Sequence, residues 1–217
     1  INLNISKVFL DKEFYTKNLK GKINIKDSEI FKMSLNSFFD ENKKITMTIQ
    51  TSLDGKITTF YSDYAKPIVK KYDFIKGFEE GSLDFYSIKK DGTSSSQLKI
   101  YDFKLKKISV LTKILTLASL QGIADILSGE GIRFNEFEMK FKNKKNLMTI
   151  NEIYAIGPAI SVLMEGYIQK NELISLRGTL VPATTINKVI GSIPILGDIL
   201  VGKKIGEGVF GVSFKIK

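Results

Sequence analysis

Apolar and polar residues alternate along this chain in short runs, and a polar turn interrupts the alternation about every ten residues, a spacing that few folds other than an antiparallel sheet can use. Such runs occur at Leu3–Val8, Gly21–Ile25, Phe31–Leu35, Ile45–Ile49 and Ile57–Tyr61. Lys26-Asp27-Ser28, Asp40-Glu41-Asn42 and Leu53-Asp54-Gly55 separate several of them. A period of two sends successive side chains to opposite faces of a strand, so each run has one apolar face. Linkers this short leave no room for the crossover helix that parallel strands require. Further strands are predicted at Gly81–Ile88 and Gln97–Leu105, joined by a loop over Lys89–Ser96. Four more follow at Ile132–Phe141, Leu147–Ala155, Ile160–Gln169 and Glu172–Leu180. Their linkers, Asn143–Asn146, Gly157-Pro158 and Lys170-Asn171, are turn chemistry. The last of these four runs stops at Val181-Pro182, and a final strand alternates from Phe210 to Ile216.

Three segments break this rhythm with helical spacing. Ser62–Asp73 is predicted as a short helix with Ser62 or Asp63 as its N-cap, Pro67 near its first turn, and Tyr64, Ile68 and Tyr72 on one face. Val110–Leu127 is apolar over most of its circumference, interrupted by Lys113, Gln121 and Asp125, and Gly129 is placed to end it. Charges at the centre of a bilayer each cost about 2.5–3.5 kcal/mol, which argues against a membrane span. A helix apolar nearly all round must instead be covered on more than one side, by protein or by lipid. Ala183–Val201 is a second apolar helical stretch, broken by Ile193-Pro194 and Gly197. The expectation is therefore a mainly β chain with helical insertions: one continuous antiparallel sheet with two apolar helices as caps, and no division into separate domains.

Composition narrows the chemistry. The chain has no cysteine and no histidine, which removes thiol nucleophiles, thiolate metal sites, and the commonest general base and zinc ligand. No catalytic residue, metal ligand or cofactor site is predicted. Net charge is +10, yet of 33 basic residues only Arg133 and Arg177 are arginine. Nucleic-acid readers lean on arginine for bidentate contacts, so a solvated lysine surface is favoured, a membrane-surface role ranks second, and nucleic acid is not expected as a partner. Gly206-Glu207-Gly208-Val209-Phe210-Gly211 matches G-x-G-x-x-G, but here a helical stretch precedes and a strand follows, the reverse of a dinucleotide site. The run Ser94–Ser96 reads as a loop tip, because no histidine is present to activate it. Glu136 and Glu138 share the strand face opposite Phe137, Met139 and Phe141, which reads as the solvent side. The chain opens on Ile1 inside a strand pattern and reads as a fragment of something longer.

From about Thr59 onward, the order of features resembles the C-terminal region of AsmA-like proteins, in particular the YhdP-like branch. The matching stretches are Phe60–Ala65 (FYSDYA), Ile75–Leu83 (IKGFEEGSL), Leu115–Gly122 (LTLASLQG) and Leu127–Phe134 (LSGEGIRF). Ala155–Ala159 (AIGPA), Gly166 and Leu176–Ala183 (LRGTLVPA) come next. Asn187–Gly197 (NKVIGSIPILG) then leads through Leu200–Gly202 into Gly206–Val212 (GEGVFGV). Residues 1–60 carry only the general strand pattern.

This resemblance implies a long curved sheet rolled into an open trough (a half-pipe) with an apolar interior, belonging to an inner-membrane-anchored protein of the bacterial envelope. It implies a periplasmic, non-enzymatic segment that carries phospholipid between inner and outer membranes. A non-lipid assembly module that docks an envelope protein partner is the alternative. The residues expected to line or plug the groove are Leu115, Leu117, Leu120, Ile123, Leu127, Ile195, Leu196, Ile199 and Leu200. Structural roles are expected for Gly129, Gly131, Phe134, Gly157, Gly166, Gly178, Pro182, Pro194, Gly197 and Gly208.

Overall fold

A computed structural model describes residues 1–40, 43–72, 75, 77–106, 129–170, 172–182 and 212–216. Twelve strands form one open sheet in which the order along the chain is the order in space. They are β1 (Asn2–Phe9), β2 (Tyr15–Lys26), β3 (Glu29–Phe38), β4 (Lys44–Ser52), β5 (Gly55–Ser62), β6 (Phe78–Lys90) and β7 (Thr93–Leu105), then β8 (Ile132–Lys144), β9 (Leu147–Ile156), β10 (Ile160–Gln169), β11 (Leu173–Pro182) and β12 (Val212–Ile216). Every neighbouring pair is antiparallel. The predicted strands are all present, most of them longer than the alternation alone suggests.

A meander of this kind sorts its connections by parity. The turns β2–β3, β4–β5, β6–β7, β8–β9 and β10–β11 fall on one edge of the sheet, and each is only two or three residues long. Two of them have the left-handed pair that matches strand twist: Asp27 (φ 50°) with Ser28 (φ 62°), and Asp91 (φ 49°) with Gly92 (φ 72°). The other connections leave from the opposite edge, including those after β5, β7 and β11. The short edge is the turn edge and the other is the connection edge.

The β6–β7 turn corrects one expectation. The loop predicted over Lys89–Ser96 shrinks to Asp91-Gly92, and Ser94–Ser96 belong to β7. A two-residue turn needs no further loop, so the serines enter the ladder. Ser96 is buried and its hydroxyl meets that of Ser87 across the strands at 2.8 Å.

The short helix also differs from the prediction. It spans Lys66–Tyr72 as α1, and the Ala65 carbonyl accepts the N–H groups of Ile68 and Val69, which makes Ala65 its entry residue. Ser62 instead ends β5, and its hydroxyl serves the local turn through Tyr64. The buried face is Pro67, Ile68 and Val69, while Tyr72 is exposed. α1 packs over β6 and is tied there by Lys66–Glu79 at 2.7 Å. Around it, Tyr64 makes edge contacts with Phe14 and Phe39 from neighbouring loops. This apolar cluster is what closes the connection edge.

The core continues from α1 into the sheet. Phe103 stacks between Phe78 (5.2 Å) and Phe134 (5.3 Å), and Phe137 meets Phe103 edge-on. Replacing Phe134 by alanine should cost about 3–5 kcal/mol, since the ring is fully buried and shared by two strands. The check is chemical denaturation: a midpoint fall of this size is expected for Phe134→Ala and none for Tyr86→Ala, whose ring is exposed.

Candidate functional site

Register, more than any single residue, builds the largest candidate surface. On one face, Leu83, Ile100, Phe137, Ala155, Val162 and Leu180 stand side by side on β6 to β11. The adjacent row on that face starts earlier, running Leu3, Gly21, Leu35, Met47 and Phe60 across β1 to β5. It continues through Phe85, Leu98, Met139, Ile153 and Met164 to Gly178 on β11. At about 4.8 Å per strand, ten steps make a stripe of roughly 48 Å. Towards the turn edge the next row becomes polar in its middle, with Thr58, Ser87 and Ser96. Near the connection edge the rows merge into the core around α1.

The two rows differ in cover. Leu83, Ile100 and Leu180 are buried, whereas Leu35, Met47, Phe60, Phe85, Leu98, Met139 and Met164 are only half-buried. The stripe of the second row is thus apolar along its length and open along most of it.

The opposite face is charged, and the charges at its middle satisfy one another. Its centre is Glu138, 4% exposed, correcting the expectation of a solvent-facing carboxylate. The predicted face is right, but neighbours cover it. Tyr154 donates to Glu138 Oε2 at 2.6 Å and Gln97 Nε2 donates to Oε1 at 2.5 Å. Lys99 and Lys140 stand at 3.2 Å, and Lys140 also reaches Glu152 at 3.1 Å. Glu136 stays half-buried and lies 3.0 Å from the same tyrosine hydroxyl. Burial alone would push the Glu138 carboxyl up; the hydrogen bonds from Tyr154, Gln97, Lys140 and Lys99 outweigh it and hold the group at about 2. Burial and the two carboxylates push the Tyr154 phenol up, so it keeps its proton. Every Glu138 oxygen is used, which marks a brace and not a reactive acid.

A concavity of about 780 Å³ lies on this face beside the turn edge, where Glu165 and Arg177 pair across β10 and β11. Among the described residues, no cluster of acidic side chains could hold a metal ion, and no helix is long and apolar enough to cross a membrane.

The predicted groove residues Leu115, Leu117, Leu120, Ile123, Leu127, Ile195, Leu196, Ile199 and Leu200 lie outside the described residues, as do Pro194, Gly197 and Gly208. The other predicted structural residues occupy defined positions. Gly129 is in the exposed turn before β8. Gly131 has φ 93°, and a Cβ there would meet the Leu105 carbonyl at 2.6 Å. Gly166 allows β11 to approach closely, since a Cβ would lie 2.1 Å from the Ser175 carbonyl. Gly157 is buried in the β9–β10 turn and donates to the Ile160 carbonyl. Gly178 sits opposite Met164 in the stripe, and Pro182 ends β11 opposite Ile160. Phe134 is the stacked core ring described above. Of the groups sequence reasoning missed, the Glu138 brace had a usable signal only in hindsight of register. Its partners come from three strands, and the ladder shifts at Asn151, where β9 carries one residue more than β8 between Lys140 and Phe141.

Comparison of the chain with protein-family models, with characterised proteins and with solved structures gives no match.

The brace has a measurable pH signature. A folded-state value near 2 against an ordinary 4.5 gives stability that is complete above about pH 4.5 and is lost as pH falls towards 2. At about 1.4 kcal/mol per unit, the loss is on the order of 3 kcal/mol. Urea unfolding at pH 7, 4 and 2.5 should show it, and Glu138→Gln should be less stable at pH 7 with a shallower acid limb.

Proposed function

We propose that the apolar face binds lipid acyl chains and that the chain is a lipid-carrying segment, not an enzyme. The observation that carries this reading is the uninterrupted, half-open apolar stripe across β1 to β11. An isolated sheet face of this length would cost free energy in water, at roughly 25 cal/mol per Å² of apolar surface. Large twisted sheets beyond about ten strands curl, and curling towards the apolar side turns the stripe into a trough wall. At roughly 48 Å the stripe exceeds the ~30 Å hydrocarbon thickness of a bilayer, so an extended acyl chain fits within it. Each methylene laid there is shielded by about 0.8 kcal/mol.

The polar positions bordering the stripe towards the turn edge, Thr58, Ser87 and Ser96, suit headgroups, and the lysine excess favours anionic ones. The half-pipe shape, the two apolar helices at its end, phospholipid as cargo and a periplasmic place between two membranes come from the resemblance to AsmA-like proteins, and belong to this proposal. The flanks of both apolar segments, Lys106 with Gly129 and Pro182 with Val212, lie at or just beyond strand ends on the connection edge, the same edge on which α1 packs. Caps on that side would leave the stripe open towards the turn edge.

Lipid extraction and mass spectrometry of the purified protein test the reading. Phospholipid should co-purify with the parent chain, and Met139→Gln/Met164→Gln, nearly equal in volume but polar, should retain several-fold less. A lipid-free parent chain would instead favour a protein-docking module of the envelope. A folded double variant that keeps its full lipid load would remove the stripe from the assignment.

A further inference from the structure

The turn edge carries a second apolar feature that the stripe does not explain. Apart from Ile1 and Ile5 at the start of the chain, every exposed leucine or isoleucine among the described residues lies within three residues of a turn on this edge: Ile25, Leu53, Leu147, Leu173 and Ile174. They gather most closely at the β8–β9 and β10–β11 tips. These two tips are stitched by the Lys170 N–H donating to the Asn146 carbonyl at 2.9 Å.

Register shows why these side chains are unlike ordinary surface leucines. Leu147 and Leu173 flank Gln169 in one row, on the charged face of the sheet. Met148, Ile168 and Ile174 form the next row, on the apolar face. The joined tips are therefore apolar on both sides, and a sheet can turn only one side towards its own core. Leu147 (42%), Leu173 (39%) and Ile174 (49%) stay substantially exposed. The same tips bear Lys144, Lys145 and Lys170, all exposed and without an ion pair among the described residues. The nearby Glu172 is engaged by Gln169.

We propose that the β8–β9 and β10–β11 tips form a peripheral docking edge for an anionic lipid bilayer. Aliphatic side chains on both sides of a narrow tip suit insertion into the headgroup–acyl boundary, and long lysine stems can reach back to phosphate oxygens. Two copies meeting tip to tip would bring six exposed lysines together, so charge disfavours self-association there. Docking here goes beyond lipid carriage in the stripe. It specifies where the sheet meets a membrane and stands whether or not the stripe holds lipid.

Vesicle co-sedimentation of the whole chain tests it, with phosphatidylcholine alone and with phosphatidylcholine containing phosphatidylglycerol. Binding should appear on the anionic vesicles and fall several-fold in high salt, where the screening length drops towards ~3 Å. Leu173→Asp and, separately, Lys144→Glu/Lys145→Glu/Lys170→Glu should each lose most of the bound fraction while keeping the parent melting curve. The chain has no tryptophan, so Leu173→Trp provides a single reporter: its emission should shift to the blue with anionic vesicles, and that of Tyr86→Trp, mid-sheet on the charged face, should not. No sedimentation with anionic vesicles, unchanged binding in either folded tip variant, or an equal shift at both tryptophans would overturn the proposal. Met139→Gln/Met164→Gln should dock normally, and Leu173→Asp should keep its co-purified lipid, so failure of one reading is distinct from failure of the other.

Discussion

Strand register is the constraint on which the rest of this structure depends. Side chains alternate with a strict period of two, so a slip of one residue between any two strands would transfer every apolar group beyond it to the wrong face. Where the ladder shifts, at Lys17/Lys20, Asn24/Ile25, Lys140/Phe141 and Met164/Gly166, the apolar row resumes on its own side. Short turns help to hold this alignment, because a two-residue turn with both residues left-handed admits one pairing of its strands. The apolar stripe and the Glu138 brace are two faces of the same alignment. Neither exists in any single strand.

The division between edges follows from the same meander. One side has only turns of two or three residues, and the other has the longer connections beside the three-residue β9–β10 turn, so α1, Phe14, Phe39 and Tyr64 pack at one edge while hairpin tips stand bare at the other. Under the proposed lipid-carrying reading, an apolar band accessible at one margin would hold the oily part of a cargo and leave its charged part free.

Much of this was legible in the sequence. Alternation at Phe31–Leu35, Ile45–Ile49 and Ile57–Tyr61 located strands because apolar spacing reports directly on which side chains share a face. Turn composition at Asp91-Gly92 located a reversal, though serines beside it suggested too long a loop; propensity cannot see that Ser96 finds a hydroxyl on the next strand. The helix at Lys66–Tyr72 was recognisable from Pro67 and its apolar neighbours, but its exact face depends on what β6 offers it. Glu138 shows the limit most clearly. Its strand position was readable, and its burial was not, because Gln97, Lys99 and Tyr154 reach it only through pairing across β7, β8 and β9.

A sheet in which each strand pairs its backbone only with its sequence neighbours has consequences for how it comes apart. Its cooperativity is close to one-dimensional, with stability approximated by a sum of adjacent-pair contributions, as in repeat proteins. Loss of an outermost strand leaves the remaining ladder intact, so unravelling should proceed inward from β1, which pairs with one strand only among the described residues, towards the heavily packed β6–β8 centre. Amide protons would then report a graded profile along the chain, slowest around the phenylalanine stack, and no single unfolding free energy would describe the whole molecule.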